Sequence, residues 1–327
     1  MQTNEHYDVV DYDALVMAVP KDYLRLESLY GKLVQGMPAR RLLFVGNEEV
    51  GRLVADSNLG DRVGFVNEND ILTFDEVNEV MKDALKDILQ GQELPRGVTG
   101  WYYQQFLKMN YSRICQDEYY MTWDGDTVPC RMFSMFKEGT NTPYFDLKTE
   151  FYGDYFETLG RLFPGMGKVI GKSFISEHML FKTEYMRELI EGIEANENIR
   201  GTKFYEKIIY AVDPEKLIGN GFSEFETYGT FVALKHMTSY MLREWHSFRL
   251  GGCFYDPKTI DEVDLEWLAN DFQAISFEKG HTVREDCKNL FDNKEYQAKL
   301  SAKQMLEIAQ EEFHDGSWKE IWDETWC

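Results

Sequence analysis

The chain has 327 residues, of which 43% are hydrophobic and 15% aromatic, and this composition predicts a folded globular protein with one large or two ordinary domains. Its 57 acidic residues outnumber its 35 basic ones and give a formal net charge of −22, which argues against nucleic acid as a partner because like charges repel. No window is apolar for long enough to predict a transmembrane segment, and the first residues lack the basic and apolar regions of a signal peptide, so we expect a cytoplasmic protein.

The first ninety residues alternate between predicted strands and helices. Short apolar runs at residues 14–19, 41–46 and 62–66 predict strands. Pro20 stops the first run, and apolar residues at helical spacing follow it and recur over residues 75–89, so we expect a helix in both places. Such alternation is typical of a largely parallel sheet with helices on its faces, where ligands bind beyond the carboxyl ends of the strands.

A further helix is predicted from Gly100 onward. Its apolar face is expected to pack into the core. Its other face carries Trp101, Gln105 and Lys108 at the i, i+4, i+7 spacing that places side chains together on a helix. We expect this second face to meet a ligand.

The most informative segment is residues 118–126, a run rich in β-forming and aromatic residues that ends in Asp124-Gly125-Asp126. Gly125 allows a turn in which both carboxylates project beyond the end of the strand. Such hard oxygen ligands suit Mg²⁺ or Mn²⁺, above all when a phosphorylated ligand completes the coordination. The alternative is an acidic turn, which Asp and Gly form by themselves.

The same aspartates, with Val128, also satisfy the D-x-D-x-[TV] motif of Mg²⁺-dependent phosphohydrolases. In that chemistry the first aspartate is the phosphorylated nucleophile and the second a general acid and base. The phosphohydrolase site also needs a downstream acidic pair after an apolar strand, and none is convincing here. An ATPase is excluded, because the Gly- and Lys-rich residues 165–173 place Met166 where a phosphate-binding loop requires glycine.

Downstream, a strand is predicted over residues 173–181 and a helix over residues 184–193, with Thr183 as its cap. His178 lies within the predicted strand. A buried, hydrogen-bonded histidine and an active-site histidine are both open interpretations for it.

Another helix is predicted to begin at Ser223, which has the spacing of a capping box with Glu226. That pattern indicates a structural role for Glu226. Glu224 is not needed for capping and is the freer carboxylate to act as a general base. Arg249, in the segment Arg249-Leu250-Gly251-Gly252, is either a cation that approaches phosphates on a flexible backbone or part of a surface loop.

Residues 261–272 and 294–313 have helical, strongly charged patterns, and an acidic tail with Trp318, Trp322 and Trp326 follows. No internal repeat and no clear linker is present. One α/β domain with a helical C-terminal extension is the simplest prediction.

Together these segments resemble the nucleotide-diphospho-sugar transferase superfamily, which has the GT-A fold, and within it a poorly characterised bacterial glycosyltransferase-like family. The resemblance spans about residues 14–252. It rests on the order of five segments: the opening strand with Pro20; Gly100-Trp101 with Gln104, Gln105 and Lys108; Asp124-Gly125-Asp126-Thr127; Ser176-Glu177-His178-Met179; and Phe222-Ser223-Glu224-Phe225-Glu226-Thr227-Tyr228-Gly229. It implies a Rossmann-like α/β catalytic domain over residues 1–255, with a mostly parallel sheet flanked by helices, and a helical extension over residues 256–327.

The resemblance also implies an activity, the metal-dependent transfer of a sugar from a nucleotide-diphosphate sugar, most simply a UDP-sugar, to a hydroxyl group of a glycan or lipid-linked acceptor. The expected setting is bacterial surface glycan synthesis by a cytoplasmic protein that binds at most peripherally to the inner membrane face. A Mg²⁺-dependent phosphohydrolase and a catalytically silent carbohydrate- or protein-binding module are the alternatives.

By the same resemblance, Asp124 and Asp126 would hold Mn²⁺ or Mg²⁺ on the donor diphosphate, and Glu224 would be the base of an inverting transfer, which is favoured over a retaining one. Gly125 stands where a serine is expected between the aspartates. The candidate residues are, for catalysis, Glu224, Glu226 and His178; for donor binding, Val19, Pro20, Trp101, Gln105, Lys108, Asp124 and Arg249; and for the metal, Asp124 and Asp126.

Overall fold

The fold is that of a computed structural model, which describes residues 8, 10–149 and 151–312, without the side chains of residues 286, 287 and 308–312. The predicted Trp-rich tail, with Trp318, Trp322 and Trp326, lies outside these residues. The strands are β1 (Asp13–Met17), β2 (Arg41–Gly46), β3 (Val63–Asn67), β4 (Tyr119–Asp124), β5 (Thr127–Pro129), β6 (Tyr144–Leu147), β7 (His178–Lys182), β8 (Met241–Glu244), β9 (Ser247–Phe248) and β10 (Ala274–Ser276). The helices are α1 (Pro20–Gly36), α2 (Glu48–Ser57), α3 (Glu68–Ile71), α4 (Phe74–Leu89), α5 (Arg96–Asn110), α6 (Gly153–Leu162), α7 (Thr183–Glu194), α8 (Phe204–Ala211), α9 (Glu224–Lys235), α10 (Glu262–Leu268), α11 (Glu285–Phe291), α12 (Lys294–Gln297) and α13 (Ala302–Glu312).

The central sheet has five strands in the order β3-β2-β1-β4-β7. The first four run parallel to one another, and β7 runs antiparallel to β4. The predicted mostly parallel α/β sheet flanked by helices is therefore confirmed. Its carboxyl edge brings together Met17 at the end of β1 and Asp124 at the end of β4, which are paired in register.

Hydrophobic side chains cover both faces of this sheet. On β1, Ala14 and Val16 belong to one buried cluster and Leu15 to the other, as the period of two along a strand requires. The first cluster also contains Phe248, which stacks on Phe272 with 5.1 Å between ring centroids. Residues on both sides of position 255 thus share one core, while the division of the chain at that position stays a prediction.

Two small sheets extend the architecture. One has the order β5-β10-β9, and the other pairs β6 with β8. The sequence pattern did not predict β10, which has only three residues and whose Ala274 and Ile275 are completely buried, so that no alternation is visible. No helix within the described ranges is long and apolar enough to cross a membrane.

Several predicted boundaries differ from the structure for physical reasons. The helix predicted from Gly100 already begins at Arg96, because its first turn packs on α4 through a 2.8 Å hydrogen bond from Thr99 Oγ1 to Asn78 Oδ1. Of the predicted strand over residues 173–181, only the part from His178 onward pairs with β4.

The predicted helix caps and C-terminal helices are also corrected. Thr183 does not cap α7, because its hydroxyl instead donates a 2.8 Å hydrogen bond to the carbonyl oxygen of Asp117. The helix predicted over residues 294–313 is divided into α12 and α13, because Ser301 and Gln304 exchange hydrogen bonds that start a new helix.

Two helical glycines test how tightly α9 packs. A Cβ atom on Gly229 would overlap the buried ring of Phe174, whereas a Cβ atom on the exposed Gly31 of α1 would meet nothing within 4 Å. We expect Gly229→Ala to destabilise the protein by about 1–3 kcal/mol, the usual cost of overpacking. Gly31→Ala is the matched control and should stabilise by about 0.5–1 kcal/mol, because alanine favours helix. Urea unfolding measures both, and equal signs for the two variants would contradict this packing.

Candidate active site

A cavity of about 710 Å³ opens at the carboxyl edge of the central sheet. This is where the sequence placed the ligand, and the volume is in the usual range for small-molecule sites, roughly 300–1,000 Å³. Of the predicted candidates, the wall contains Val19, Pro20, Trp101, Gln105, Lys108, Asp124, Asp126, Glu224 and Arg249. Glu226 and His178 do not line it.

The two aspartates stand on a rigid turn between β4 and β5. The indole N–H of Trp123 donates a 2.7 Å hydrogen bond across the turn to the carbonyl oxygen of Thr127. The hydroxyl of Thr127 lies 2.7 Å from that of Ser276 on β10, and the N–H of Phe277 donates to the carbonyl oxygen of Asp126 at 2.7 Å. The pairing of β5 with β10 therefore fixes the turn that carries both carboxylates in the cavity wall.

Lys108 is buried between two carboxylates. Its Nζ lies 3.0 Å from Asp124 Oδ1 and 2.9 Å from Glu224 Oε1. Burial lowers the pKa of Lys108, but the charges of the two carboxylates outweigh that effect and hold the pKa above its usual value. The lysine therefore stays charged, and it joins α5, the end of β4 and the start of α9.

Asp126 carries negative charge that the described residues do not neutralise. Burial, with the charges of Asp124 and Glu278, raises its pKa from 3.8 to about 7, against a smaller opposing effect of Arg25. Within the described parts of the chain, no group of three or more His, Cys, Asp or Glu side chains could hold a metal ion. The pair fits Mg²⁺ or Mn²⁺ bound together with a phosphorylated ligand, because these ions are commonly held by one or two carboxylates with substrate phosphates and water.

The start of α9 is anchored from two directions. Gln105 Oε1 accepts a 3.1 Å hydrogen bond from the N–H of Glu224, so this predicted donor-binding side chain also caps the helix. Ser223 Oγ accepts from the N–H of Glu226 at 3.3 Å, as predicted. The second predicted bond of the capping box, from the N–H of Ser223 to the Glu226 carboxylate, is wrong, because this carboxylate instead accepts a 2.6 Å hydrogen bond from Ser173 Oγ.

Glu226 is therefore tied to the segment before β7 and faces away from the cavity. Burial raises its pKa, partly opposed by the hydrogen bond from Ser173. Glu224, in contrast, is buried at the cavity wall with Lys108 as its partner. Of the two glutamates at this helix start, only Glu224 is placed to meet a ligand.

His178 lies in a buried network behind β4. Its Nε2 is 2.9 Å from Asp146 Oδ2 and its Nδ1 is 2.8 Å from the carbonyl oxygen of Ser176. Arg243 donates two hydrogen bonds to the same Asp146 carboxylate, at 2.6 and 2.7 Å. The imidazole is also enclosed by Trp123 and Trp245, with centroids 5.0 and 4.4 Å away. Of the two interpretations of His178, the structure agrees with the buried, hydrogen-bonded one.

Arg249 lines the cavity, where its Nε lies 2.8 Å from Glu278 Oε1. Val19, which is half exposed, and Pro20, which begins α1, also line the cavity.

The wall residues that were not among the predicted candidates include two further carboxylates, Glu177 and Glu278. Glu177 stood in the segment Ser176-Glu177-His178-Met179, but nothing in its spacing distinguished it from its neighbours. Glu278 could not be found from the sequence, because its position depends on the unpredicted strand β10.

The pKa of Asp126 makes the stability of the metal-free protein depend on pH. Because the folded-state pKa of this acid is raised from 3.8 to about 7, the folded state binds the proton more tightly than the unfolded state between these values. Its contribution to the free energy of unfolding should thus fall as the pH rises from about 4 to about 7. Asp126→Asn should lack this component of the loss. Urea unfolding at pH 5 and pH 8 in the presence of a chelator measures it, and equal losses in both proteins would contradict the assignment.

One solved structure similar to the chain is mouse xyloside xylosyltransferase 1 in its apo form, with 14% sequence identity, 84% of this chain and 100% of that chain covered, and a TM-score of 0.43. Another is the apo bifunctional glycosyltransferase WbbM, with 12% identity, 92% of this chain and 52% of that chain covered, and a TM-score of 0.43. A third is the galactosyltransferase LgtC in complex with donor and acceptor sugar analogues, with 11% identity, 88% of this chain and 100% of that chain covered, and a TM-score of 0.38. By their names, all three of these proteins are glycosyltransferases. No curated protein matches the sequence significantly. The sequence profile described as "Family of unknown function (DUF6492)" matches residues 42–291, most of the chain, and the chain belongs to that family.

Proposed function

We propose that the chain is a metal-dependent glycosyltransferase that moves a sugar from a nucleotide-diphosphate sugar to a hydroxyl acceptor. One observation carries the proposal: Asp124 and Asp126 both line the cavity, and the described residues do not neutralise the charge of Asp126. A divalent ion on a diphosphate supplies the charge that this pair lacks. We propose a UDP-sugar as the first donor to test.

In this proposal different wall residues bind different parts of the donor. Val19 and Pro20 would contact the base, and Trp101 and Gln105, which line the cavity from α5, would face the ribose or phosphates. Arg249 supplies a second cation beside Lys108 for the phosphates. When bound, Mn²⁺ or Mg²⁺ would neutralise the negative charge that develops on the departing nucleotide diphosphate.

Glu224 is the proposed general base of an inverting transfer. Lys108 engages its Oε1, which leaves Oε2 to take the proton of the acceptor hydroxyl. As that oxygen forms its bond to the anomeric carbon, the bond from this carbon to the diphosphate breaks, and the nucleotide diphosphate leaves. Lys108 also contacts Asp124, so it links the base to the side of the cavity where charge accumulates.

The phosphohydrolase alternative has less support. Its metal site needs an additional acidic pair, and no cluster of three metal-binding side chains is found in the portion of the chain that the structure describes. A silent binding module remains an outcome of the tests below.

Replacement of Asp126 tests the metal site. Asp126→Ala should abolish Mn²⁺-dependent binding of UDP, because it removes one of the two proposed metal ligands. The fold should stay intact, because the ionised form of this half-buried carboxylate is unfavourable in the metal-free protein. Calorimetric titration with UDP, with and without Mn²⁺, measures the effect. Asp56→Ala, at an exposed aspartate of α2, is the control and should bind like the wild type. Equal affinity in all three proteins would exclude the metal site.

Replacement of Glu224 tests the base. Glu224→Gln should lower turnover by roughly 10²–10⁴-fold, because an amide of the same shape cannot accept the proton. Glu226→Gln is the matched control; its side chain bonds Ser173 outside the cavity, and turnover should change little. Nucleotide-sugar turnover with candidate acceptors is the measurement, after a screen of nucleotide sugars for thermal stabilisation has selected the donor. Full activity in both variants would favour a retaining mechanism, and no turnover in the wild type would favour the silent module.

A further inference from the structure

Glu177 has an unusual backbone for a residue with a side chain. Its φ of 60° lies in the left-handed region, which costs a non-glycine residue about 1–2 kcal/mol. Its carbonyl oxygen accepts a 2.8 Å hydrogen bond from the N–H of Asp124, so the residue is joined directly to the proposed metal-binding turn. Strained residues that the surrounding structure holds in place are concentrated at functional sites, and this one calls for an explanation.

The Glu177 side chain is only half satisfied. Oε1 accepts hydrogen bonds from Lys148 Nζ at 2.8 Å and from Ser247 Oγ at 2.9 Å. Only 9% of the residue is exposed, and the buried Oε2 has no hydrogen-bond partner among the described residues. A buried acceptor without a donor costs about 1–3 kcal/mol.

The missing donor belongs on the cavity side. Glu177 lines the cavity, whereas Lys148 and Ser247, which hold Oε1, do not. The free oxygen is itself enclosed, so a molecule in the cavity would meet it after a small turn of the Glu177 side chain toward the cavity. Because Lys148 already neutralises the carboxylate, this position suits a neutral donor such as a hydroxyl group better than a second cation.

The cavity wall also offers surface that suits a sugar ring. Tyr152, Tyr155 and Ile175 line the cavity together with Glu177 and supply aromatic and apolar surface. Sugar rings combine hydroxyl groups on their edges with apolar C–H faces, and a cavity that joins apolar surface to a few placed polar groups matches that chemistry.

We propose that Glu177 Oε2 accepts a hydrogen bond from a ring hydroxyl of a sugar bound beside Asp124. This inference rests on the proposed function and adds a sugar-binding residue to it. The hydroxyl belongs either to the sugar of the donor or to the acceptor, and these two sources are separated by experiment.

The variants are Glu177→Gln, which removes the charge, and Glu177→Asp, which keeps the charge opposite Lys148 but withdraws the oxygen from the cavity. Calorimetry compares, in the presence of Mn²⁺, the affinities for UDP and for the nucleotide sugar that stabilises the wild type most. A second titration adds methyl glucoside or methyl galactoside to protein saturated with UDP and Mn²⁺. Glu226→Gln is the control, a buried glutamate with a serine partner away from the cavity wall.

We expect both Glu177 variants to bind UDP like the wild type and to lose roughly 10–100-fold in affinity for the sugar, the fold-change for a hydrogen bond to a charged group. Loss of the preference for the nucleotide sugar over UDP identifies the donor as the source. Loss of methyl glycoside binding identifies the acceptor.

Three results would overturn the inference alone: unchanged sugar affinity in both variants, an equal loss of affinity for UDP itself, or a wild type that binds UDP and Mn²⁺ but gains nothing from any sugar probe. A wild type that binds neither UDP nor sugar would overturn the proposed function, and the inference with it.

Discussion

The candidate site depends on one buried ion pair network, in which Lys108 stands between Asp124 and Glu224. The three residues come from a helix, the end of a strand and the start of a second helix, so their contacts of 3.0 and 2.9 Å set the mutual positions of all three elements. Without the lysine, two carboxylates would remain in a partly buried place with no counterion. Loss of one partner from a buried pair of this kind typically costs about 3–5 kcal/mol, which makes Lys108 important for the fold as well as for any ligand.

This network compensates the negative charges of the cavity carboxylates unequally. Asp124 and Glu224 share the charge of Lys108, whereas burial and the charges of Asp124 and Glu278 outweigh the opposing effect of Arg25 at Asp126. The carboxylate that needs a cation is therefore Asp126. The same arrangement holds Glu224 against a lysine at the cavity wall, the position from which the proposed base would meet the acceptor hydroxyl.

The parts of this picture that the sequence predicted are those set by local pattern. The apolar run of β2 has its predicted bounds, and the helical period placed Trp101, Gln105 and Lys108 on one face, which does line the cavity. The acid pair at a strand end needed only the rule that ligands bind at the carboxyl edge of a parallel sheet.

The parts that the sequence did not predict depend on partners that are distant along the chain. Glu226 has the spacing of a capping box, yet Ser173 offers its hydroxyl to the same carboxylate and is preferred. Thr183 in the same way bonds the carbonyl oxygen of Asp117. Local spacing lists the hydrogen bonds that a side chain can make, but the tertiary fold decides which of them forms, and for Glu177 it leaves one oxygen without a protein donor.

Gly125 shows how this tertiary constraint acts within the site. The sequence suggested that this glycine serves the turn, but its φ is not among the positive values of the described glycines, so conformational freedom is not what requires it. A Cβ atom there would lie 3.0 Å from Val16 Cγ1 and 3.1 Å from the carbonyl oxygen of Met17, which is closer than neighbours in a packed sheet readily accept. Glycine thus allows the acid pair to lie directly against the end of β1. A serine at this position would require Val16 or the turn to move by a few tenths of an ångström, and a movement of the turn would change the burial that raises the pKa of Asp126.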